Sequence, residues 1–210
     1  MKNGEQISAL VLAAGLSRRM GAFKPLLPLR GRTLIENSVD SALSGGADTL
    51  VVVTGYRAGE VEQTLSRSFG NRVRFVRNEA YAETDMLRSV QTGLSALPKC
   101  DAFFLLPGDM PVISKETFLR LLQARALSPA PVLFPTLNGY RKHPPLIDAR
   151  LIPTIRGFSG EGGLRELWKN MAGVIRTVPV DDAGVWIDID TPDDYRQCLE
   201  KYDAPTGDSR

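Results

Sequence analysis

Histidine and cysteine are nearly absent from this 210-residue sequence: His143 stands alone, and Cys100 and Cys198 are the two cysteines. Cysteines so far apart match no metal-ligand spacing, so they read as free thiols in a reducing compartment. An excess of either charge is also lacking. Lys and Arg number 26 against 24 Asp and Glu, a net of +2, and the basic residues are scattered along the chain. That removes the electrostatic case for nucleic acid or a membrane as partner. Nor is there a long apolar run. The opening "MKNGEQ" is polar and the run after it breaks at Arg18-Arg19, which argues against a signal peptide or a membrane span and for a cytoplasmic protein. No internal repeat, low-complexity segment or linker divides the chain.

The chain does have enough apolar residues, 43%, to bury a good core in one domain, expected over 1–202 with 203–210 as a disordered tail. Short β-branched runs, "ISALVLA" (7–13), "TLVVVTG" (49–55), "RVRFVRN" (72–78) and "DAFFLLPGD" (101–109), alternate with helical patterns over 33–43, 58–68, 86–97 and 115–126, the last with Ser114 as N-cap. Runs apolar on both faces and joined by helices predict a single-domain, Rossmann-like three-layer α/β/α sandwich with a mostly parallel sheet. After residue 130 the pattern changes. "PVLFPTL" and "HPPLID" flank Asn138-Gly139, which predicts two short antiparallel strands at the sheet edge, where Pro144 and Pro145 would be tolerated. A Gly-rich stretch, "GFSGEGG" (157–163), precedes the helix "LRELWKN". "GVIRTVPV" reads as a strand, and "TPDDYRQCLEKY" as a last helix capped by Thr191 with Pro192 at its first position.

In open α/β sheets ligands bind beyond the carboxyl ends of the strands. The first strand runs directly into "AGLSRRMGAFK", where Gly15 and Gly21 can present backbone amides and Arg18, Arg19 and Lys24 bring positive charge. Together they suit a polyphosphate, yet the loop has neither the G-x-G-x-x-G of a dinucleotide-binding turn nor the G-K-[ST] of a P-loop. Asp109 ends the apolar run "AFFLLPG", which places a carboxylate at the carboxyl end of a strand beside that loop. An acidic group next to a polyphosphate needs a cation, and Mg²⁺ is held by one or two carboxylates plus phosphate oxygens.

"LAAGLSRRMGAFKPLLPLRGRTLIE" resembles the L-A-A-G-x-S-x-R-M-G-x-x-K signature of the MobA-like nucleotidyltransferases, and in particular their molybdenum cofactor cytidylyltransferase branch. "PGDMP" (107–111), "HPPLI" (143–147), "GGLREL" (162–167) and "DIDTPDDY" (188–195) follow in the family's order, so the resemblance spans nearly the whole chain. It implies transfer of a nucleoside monophosphate, CMP from CTP, to a phosphorylated small molecule such as molybdopterin, with release of pyrophosphate. Arg19, Lys24 and Asp109 become the catalytic residues. Leu12, Ala13, Ala14 and Gly15, with Arg19, Lys24 and Asp109, become the nucleotide site. Asp109 and Asp190 become the Mg²⁺ ligands, with Asp188, two residues earlier on the same side of an extended segment, as the alternative to Asp190. His143, Arg88, Ser89 and Gly162 are assigned to the acceptor pocket, the "SGEGG" loop presenting amides to its phosphate at a helix N-terminus. Arg18 falls at the family's variable position and reads as a solvated side chain. The resemblance also implies a molybdoenzyme or its chaperone as a partner. Two departures leave the acceptor open: Asp85 stands at a glycine position ahead of Leu87-Arg88, and Lys142 replaces the glycine before His143-Pro144. The competing readings are a sugar-phosphate or alcohol-phosphate nucleotidyltransferase and a non-catalytic nucleotide-binding module.

Overall fold

The structure, a computed structural model, describes residues 4–83 and 85–203; the tail expected from 203 falls, beyond that residue, outside the described residues. Strand β1 (Ile7–Ala13) leads through the short pair β2 (Pro28–Leu29) and β3 (Arg32–Thr33) into α1 (Leu34–Ser44). Then follow β4 (Thr49–Thr54), α2 (Ala58–Phe69), β5 (Val73–Arg77), α3 (Met86–Ala96), β6 (Ala102–Pro107) and α4 (Lys115–Leu127). The second half holds β7 (Val132–Leu137), β8 (Tyr140–Arg141), β9 (Leu146–Asp148), α5 (Ile152–Gly157), α6 (Gly163–Asn170), β10 (Ile175–Pro179) and α7 (Pro192–Tyr202). The main sheet has the order β10-β7-β9-β6-β1-β4-β5, with β8 paired to β7.

Alternation of side chains along the central strands divides the core into two layers. Ile7, Ala9 and Val11 of β1 pack with Ile35 of α1, Val61 of α2 and Phe118 of α4 on one face. Leu10, with Val51 and Val53, packs against Leu87 and Val90 of α3, Ile155 of α5 and Leu167 of α6 on the other. This is the expected three-layer sandwich, and its central strands β1, β4 and β6 are mostly apolar because both faces are covered. Local chemistry starts the helices. Thr33 with Glu36, and Thr191 with Asp194, form reciprocal capping boxes at α1 and α7, and the Asp85 carboxylate accepts from the Arg88 amide to cap α3. Ser114 is the N-cap residue of α4 without capping through its hydroxyl: the Asp182 carboxylate takes the Ser114 amide at 2.9 Å and the Thr117 hydroxyl at 2.7 Å instead.

The expected antiparallel pair is present as β7 and β9, but it does not lie at the edge of the sheet. Asn138 (φ 53°) and Gly139 (φ 81°) do turn a hairpin, but it joins β7 to the two-residue β8. The segment after the prolines, β9, lies in the interior of the sheet between β6 and β7, antiparallel to both. Pro144 and Pro145 precede its first paired residue, and the Pro145 carbonyl accepts from the Leu105 amide at 3.1 Å, so the missing proline N–H breaks no ladder bond. Leu146, Ile147 and Asp148 are buried, as an interior position requires. The short α5 has too few turns to show a helical period.

Gly93, inside α3, marks how closely the helix lies on the sheet. A Cβ there would stand 2.7 Å from Val53 Cγ2 and collide with Leu10 Cδ1, and both side chains are fully buried. Alanine normally gains about 1 kcal/mol over glycine in a helix, but overpacking costs ~1–3 kcal/mol. Gly93→Ala is therefore expected to lower the urea midpoint, for a net loss of up to about 2 kcal/mol. An unchanged or raised midpoint would show that α3 can back away from β1 and β4.

Candidate active site

From β1 the chain steps outward through β4 to β5, then returns to place β6 on the other side of β1. The crevice at that reversal is where an open α/β sheet exposes two adjacent carboxyl ends to one ligand. The loop after β1 forms one wall. Ser17 in the left-handed conformation (φ 52°) accepts from the Met20 amide at 3.0 Å, its hydroxyl accepts from the Lys24 amide at 3.1 Å, and Met20 and Phe23 are buried as anchors. With those two side chains turned inward, Arg18 and Arg19 stay exposed. The end of β6 forms the other wall. Gly108 donates to the Leu12 carbonyl at 2.8 Å, and a Cβ there would come within 2.7 Å of Ile35 Cδ1, so only glycine lets Asp109 follow so closely on β1.

A third segment arrives from far along the chain. Ile189 is fully buried among Met20, Leu29, Leu34 and Cys198, and its amide donates to the Asp109 carbonyl at 3.2 Å. Because the segment is extended, burying Ile189 turns Asp188 and Asp190 the other way. Carboxylate oxygens of Asp109, Asp188 and Asp190 lie within 4.8 Å of one another. Lys24 Nζ donates to Asp109 Oδ2 at 2.6 Å and Asp190 Oδ1 at 2.9 Å, and Arg19 donates to Asp190 Oδ2 at 2.6 Å.

Burial by itself would lower the Lys24 pKa, yet Asp109 and Asp190 hold it above the ordinary lysine value. Asp190 is depressed, its desolvation outweighed by Lys24 and Arg19. Among the described residues no cation donates a hydrogen bond to Asp188, and the charges of Lys24 and Arg19 offset its burial only in part. Desolvation in the crevice, then Asp109 and Asp190, push it from 3.8 to about 6. An all-oxygen cluster with one carboxylate left uncompensated has the donor chemistry for a hard divalent cation. Asp109, Asp190 and Asp188 are thus the residues that could hold it.

The crevice encloses about 550 Å³ and is lined by Leu12, Ala14, Gly15, Arg19, Ser89, Asp109 and His143 among the sequence-derived candidates. Ala13 and Lys24, with Arg18, line an adjoining hollow of about 240 Å³ on the loop side. Arg88 and Gly162 are not brought to the crevice. Met86 and Ser89 take the crevice side of α3, which leaves Arg88 exposed on another face. The Gly162 amide is already bound to Glu166 Oε2 at 2.8 Å and the Gly163 amide to the Gly160 carbonyl at 3.1 Å, so this helix start offers neither amide to a phosphate. The His143 ring is pulled below its ordinary pKa by burial, and its Nδ1 lies 3.3 Å from the Leu105 carbonyl, the arrangement of a neutral imidazole that donates there. The sequence reading missed Tyr81, Lys142 and Trp186, which also line the crevice. Lys142 Nζ sits 2.9 Å from the centre of the Trp186 ring, and Tyr140 meets that ring edge-on at 5.7 Å. An exposed tryptophan two residues before Asp188 was the available signal.

Asp188 sets a pH test. Its folded pKa lies above the unfolded value, so the native state holds the extra proton between 3.8 and about 6. Stability therefore falls as pH rises through that window, and the loss is complete above it. Asp188→Asn removes the penalty. In chelator at neutral pH it is expected to stabilise the protein by up to about 1 kcal/mol, a figure kept small because the side chain opens to screening solvent. The gain should shrink as pH is lowered towards 4 in thermal melts, and a pH-independent gain would place its origin elsewhere.

The MobA-like NTP transferase domain matches residues 9–174. The molybdenum cofactor cytidylyltransferase of Escherichia coli is 29% identical, over 93% of this chain and 97% of its own. The nicotine blue oxidoreductase of Paenarthrobacter nicotinovorans is also 29% identical, over 92% and 96%. Among solved structures, a nucleotidyl transferase from Methanothermobacter superposes with a TM-score of 0.80 at 31% identity, over 95% of this chain and 98% of that one. The Rv0371c protein of Mycobacterium tuberculosis in complex with manganese superposes at 0.74 with 26% identity, over 93% and 98%. Among the described residues no helix is long and apolar enough to cross a membrane. The matched span carries the β1 loop, Lys24 and Asp109 and takes in most of the chain, which therefore belongs to the MobA-like NTP transferase family of nucleotidyltransferases.

Proposed function

We propose that the chain transfers CMP from CTP to the phosphate of a small-molecule acceptor such as molybdopterin, with Mg²⁺ as the cation and pyrophosphate as the leaving group. The observation that carries this reading is the junction of Lys24 and Arg19 with the three carboxylates in one crevice. A triphosphate needs the first pair, and a dication bound beside it needs the second set. A module that only binds nucleotide has no need of both. The absence of G-x-G-x-x-G after β1 favours transfer over the redox chemistry in one relative's name.

An oxygen of the acceptor phosphate attacks the α-phosphorus of CTP. The bond from that phosphorus to the β-phosphate's bridging oxygen breaks, and pyrophosphate leaves with the electron pair. The acceptor is already ionised at neutral pH, so no general base is required. Arg19 clamps phosphate oxygens with its planar fork, and Lys24 acts as a point charge once phosphate replaces its carboxylate partners. Backbone of Leu12 to Gly15 lies along the nucleotide. Asp109, Asp188 and Asp190 would hold Mg²⁺, which when bound supplies charge neutralisation to the phosphates. His143, neutral because it is buried, contributes a hydrogen bond to the acceptor side and no charge. On this reading the product passes to a molybdoenzyme or its chaperone. Ala14, buried at the crevice wall, narrows the space for a base and favours a pyrimidine over a purine.

Pyrophosphate release, measured with each nucleoside triphosphate against a panel of phosphorylated acceptors, tests the reading. Activity is expected to require Mg²⁺, and Asp109→Asn should cut turnover at least ~100-fold. A folded Asp109→Asn variant with full activity would refute the cation assignment. Arg19→Ala and Lys24→Ala should each weaken triphosphate use while Arg18→Ala changes little; equal losses at Arg18 and Arg19 would mean that the other side of the loop meets the ligand. CTP is expected to outcompete GTP by about five- to 150-fold in kcat/KM, with Ala14→Gly moving the ratio towards GTP. A wild-type preference for GTP would overturn the base assignment.

A further inference from the structure

A second cavity, of about 570 Å³, lies beside the crevice, and Met86, Arg141 and His143 line both. Its far wall is α6. Leu164, Arg165, Trp168 and Lys169 line it, at a spacing that puts the four on one face of the helix. Phe134 of β7 meets Trp168 edge-on at 5.6 Å and holds that ring in place, while the Arg141 guanidinium lies 5.9 Å from the same Phe134 ring. The floor is therefore apolar, and Met86 adds to it with half of its surface exposed.

The charged groups lining this cavity are all of one sign. Arg141, Arg165 and Lys169 are exposed, and among the described residues none of the three forms an ion pair, although carboxylates engage Arg19, Lys24, Arg77, Arg125 and Arg150 elsewhere. The crevice next door is rich in the opposite sign, with Asp85, Asp109, Asp188 and Asp190. Three like charges gathered at one apolar hollow repel one another, and their field is what an anion with an apolar face relieves.

We propose that this cavity seats the non-reacting end of the acceptor, and that the acceptor carries, besides the phosphate that is modified, a second anionic group held by Arg141, Arg165 and Lys169 over the Leu164–Trp168 floor. The inference rests on the nucleotidyl-transfer reading and adds the substrate class: a dianionic or more highly charged acceptor with an apolar, planar face. Shared lining by Arg141 and His143 lets one molecule reach from the cavity into the crevice.

The probe is naphthalene disulfonate, a planar dianion, titrated into the full chain by calorimetry and by tryptophan fluorescence, with naphthalenedimethanol as its neutral counterpart. The dianion should bind and the diol should not, with affinity falling as salt is raised. The double variant Arg165→Gln/Lys169→Gln should lose about 10-fold, the sum of two exposed charge contacts, while Arg165→Lys/Lys169→Arg retains binding; melting curves check that each is folded. Quenching should vanish in Trp168→Phe and persist in Trp186→Phe. Equal binding of the diol, an unaffected Gln variant, or quenching that maps to Trp186 would each overturn the proposal. Transfer of CMP that is equally efficient with acceptors having and lacking a second anionic group would overturn it too. Probe binding that behaves as expected, with no pyrophosphate release from any acceptor, would instead sink the transfer reading and leave the anionic subsite standing.

Discussion

Three carboxylates whose oxygens lie within 4.8 Å of one another would separate if nothing opposed their repulsion. What opposes it is the ammonium of Lys24, shared between Asp109 and Asp190, together with the hydrogen bond from Ile189 to the Asp109 carbonyl that holds the second and third carboxylates in place. Each partner depends on a different layer of the structure. Lys24 depends on the loop anchored by Met20 and Phe23, Asp109 on the close approach of Gly108 to β1, and the later aspartates on burial of Ile189 beneath α7. The compensation is incomplete, since Asp188 remains above its ordinary pKa, and that residue of uncancelled charge is the feature that a divalent cation fits.

The crevice is anionic and the cavity beside it cationic. Carboxylates gather where β1 and β6 end, while Arg141, Arg165 and Lys169 gather between the β7–β8 hairpin and α6. Such a division orients an anionic ligand before contacts form, because each charged group on it finds only one end favourable. The interior position of β9 makes this possible: by pairing β6 with β7 it carries His143 to the crevice, and it leaves the hairpin free to project Arg141 and Lys142 over the mouth.

Much of this arrangement was legible in the residues. The β1 loop declared its purpose through glycines and cations placed at a strand end, Asp109 through its position after an apolar run, and the α7 start through Thr191 and Pro192. Those signals are local: each depends on a few neighbouring residues and a backbone geometry those residues prefer. Arg88 and Gly162 were misplaced because motif order says nothing of which way a side chain faces on its helix, or of a Glu166 carboxylate that reaches the amide first. Asp85 read as a departure that left the acceptor open; its carboxylate caps α3 and lies against Gly163, where a Cβ would stand 2.7 Å from Asp85 Oδ2.

The amino-acid sequence by itself determined the layer architecture, since runs apolar on both faces, set between helical periods, admit a covered, mostly parallel sheet and little else. It also determined the chemistry of the first loop, which is carried by consecutive residues. Only the tertiary structure decided that three aspartates form one cluster, that Lys24 bridges two of them, that β9 lies inside the sheet, and that a second, cationic cavity adjoins the crevice. The carboxylate cluster and its lysine bridge depend on contacts between residues 85 to 171 positions apart, as between Lys24 and Asp109 or Arg19 and Asp190. Such contacts follow from how buried surfaces are paid off against one another across the whole chain, and no local preference encodes that balance.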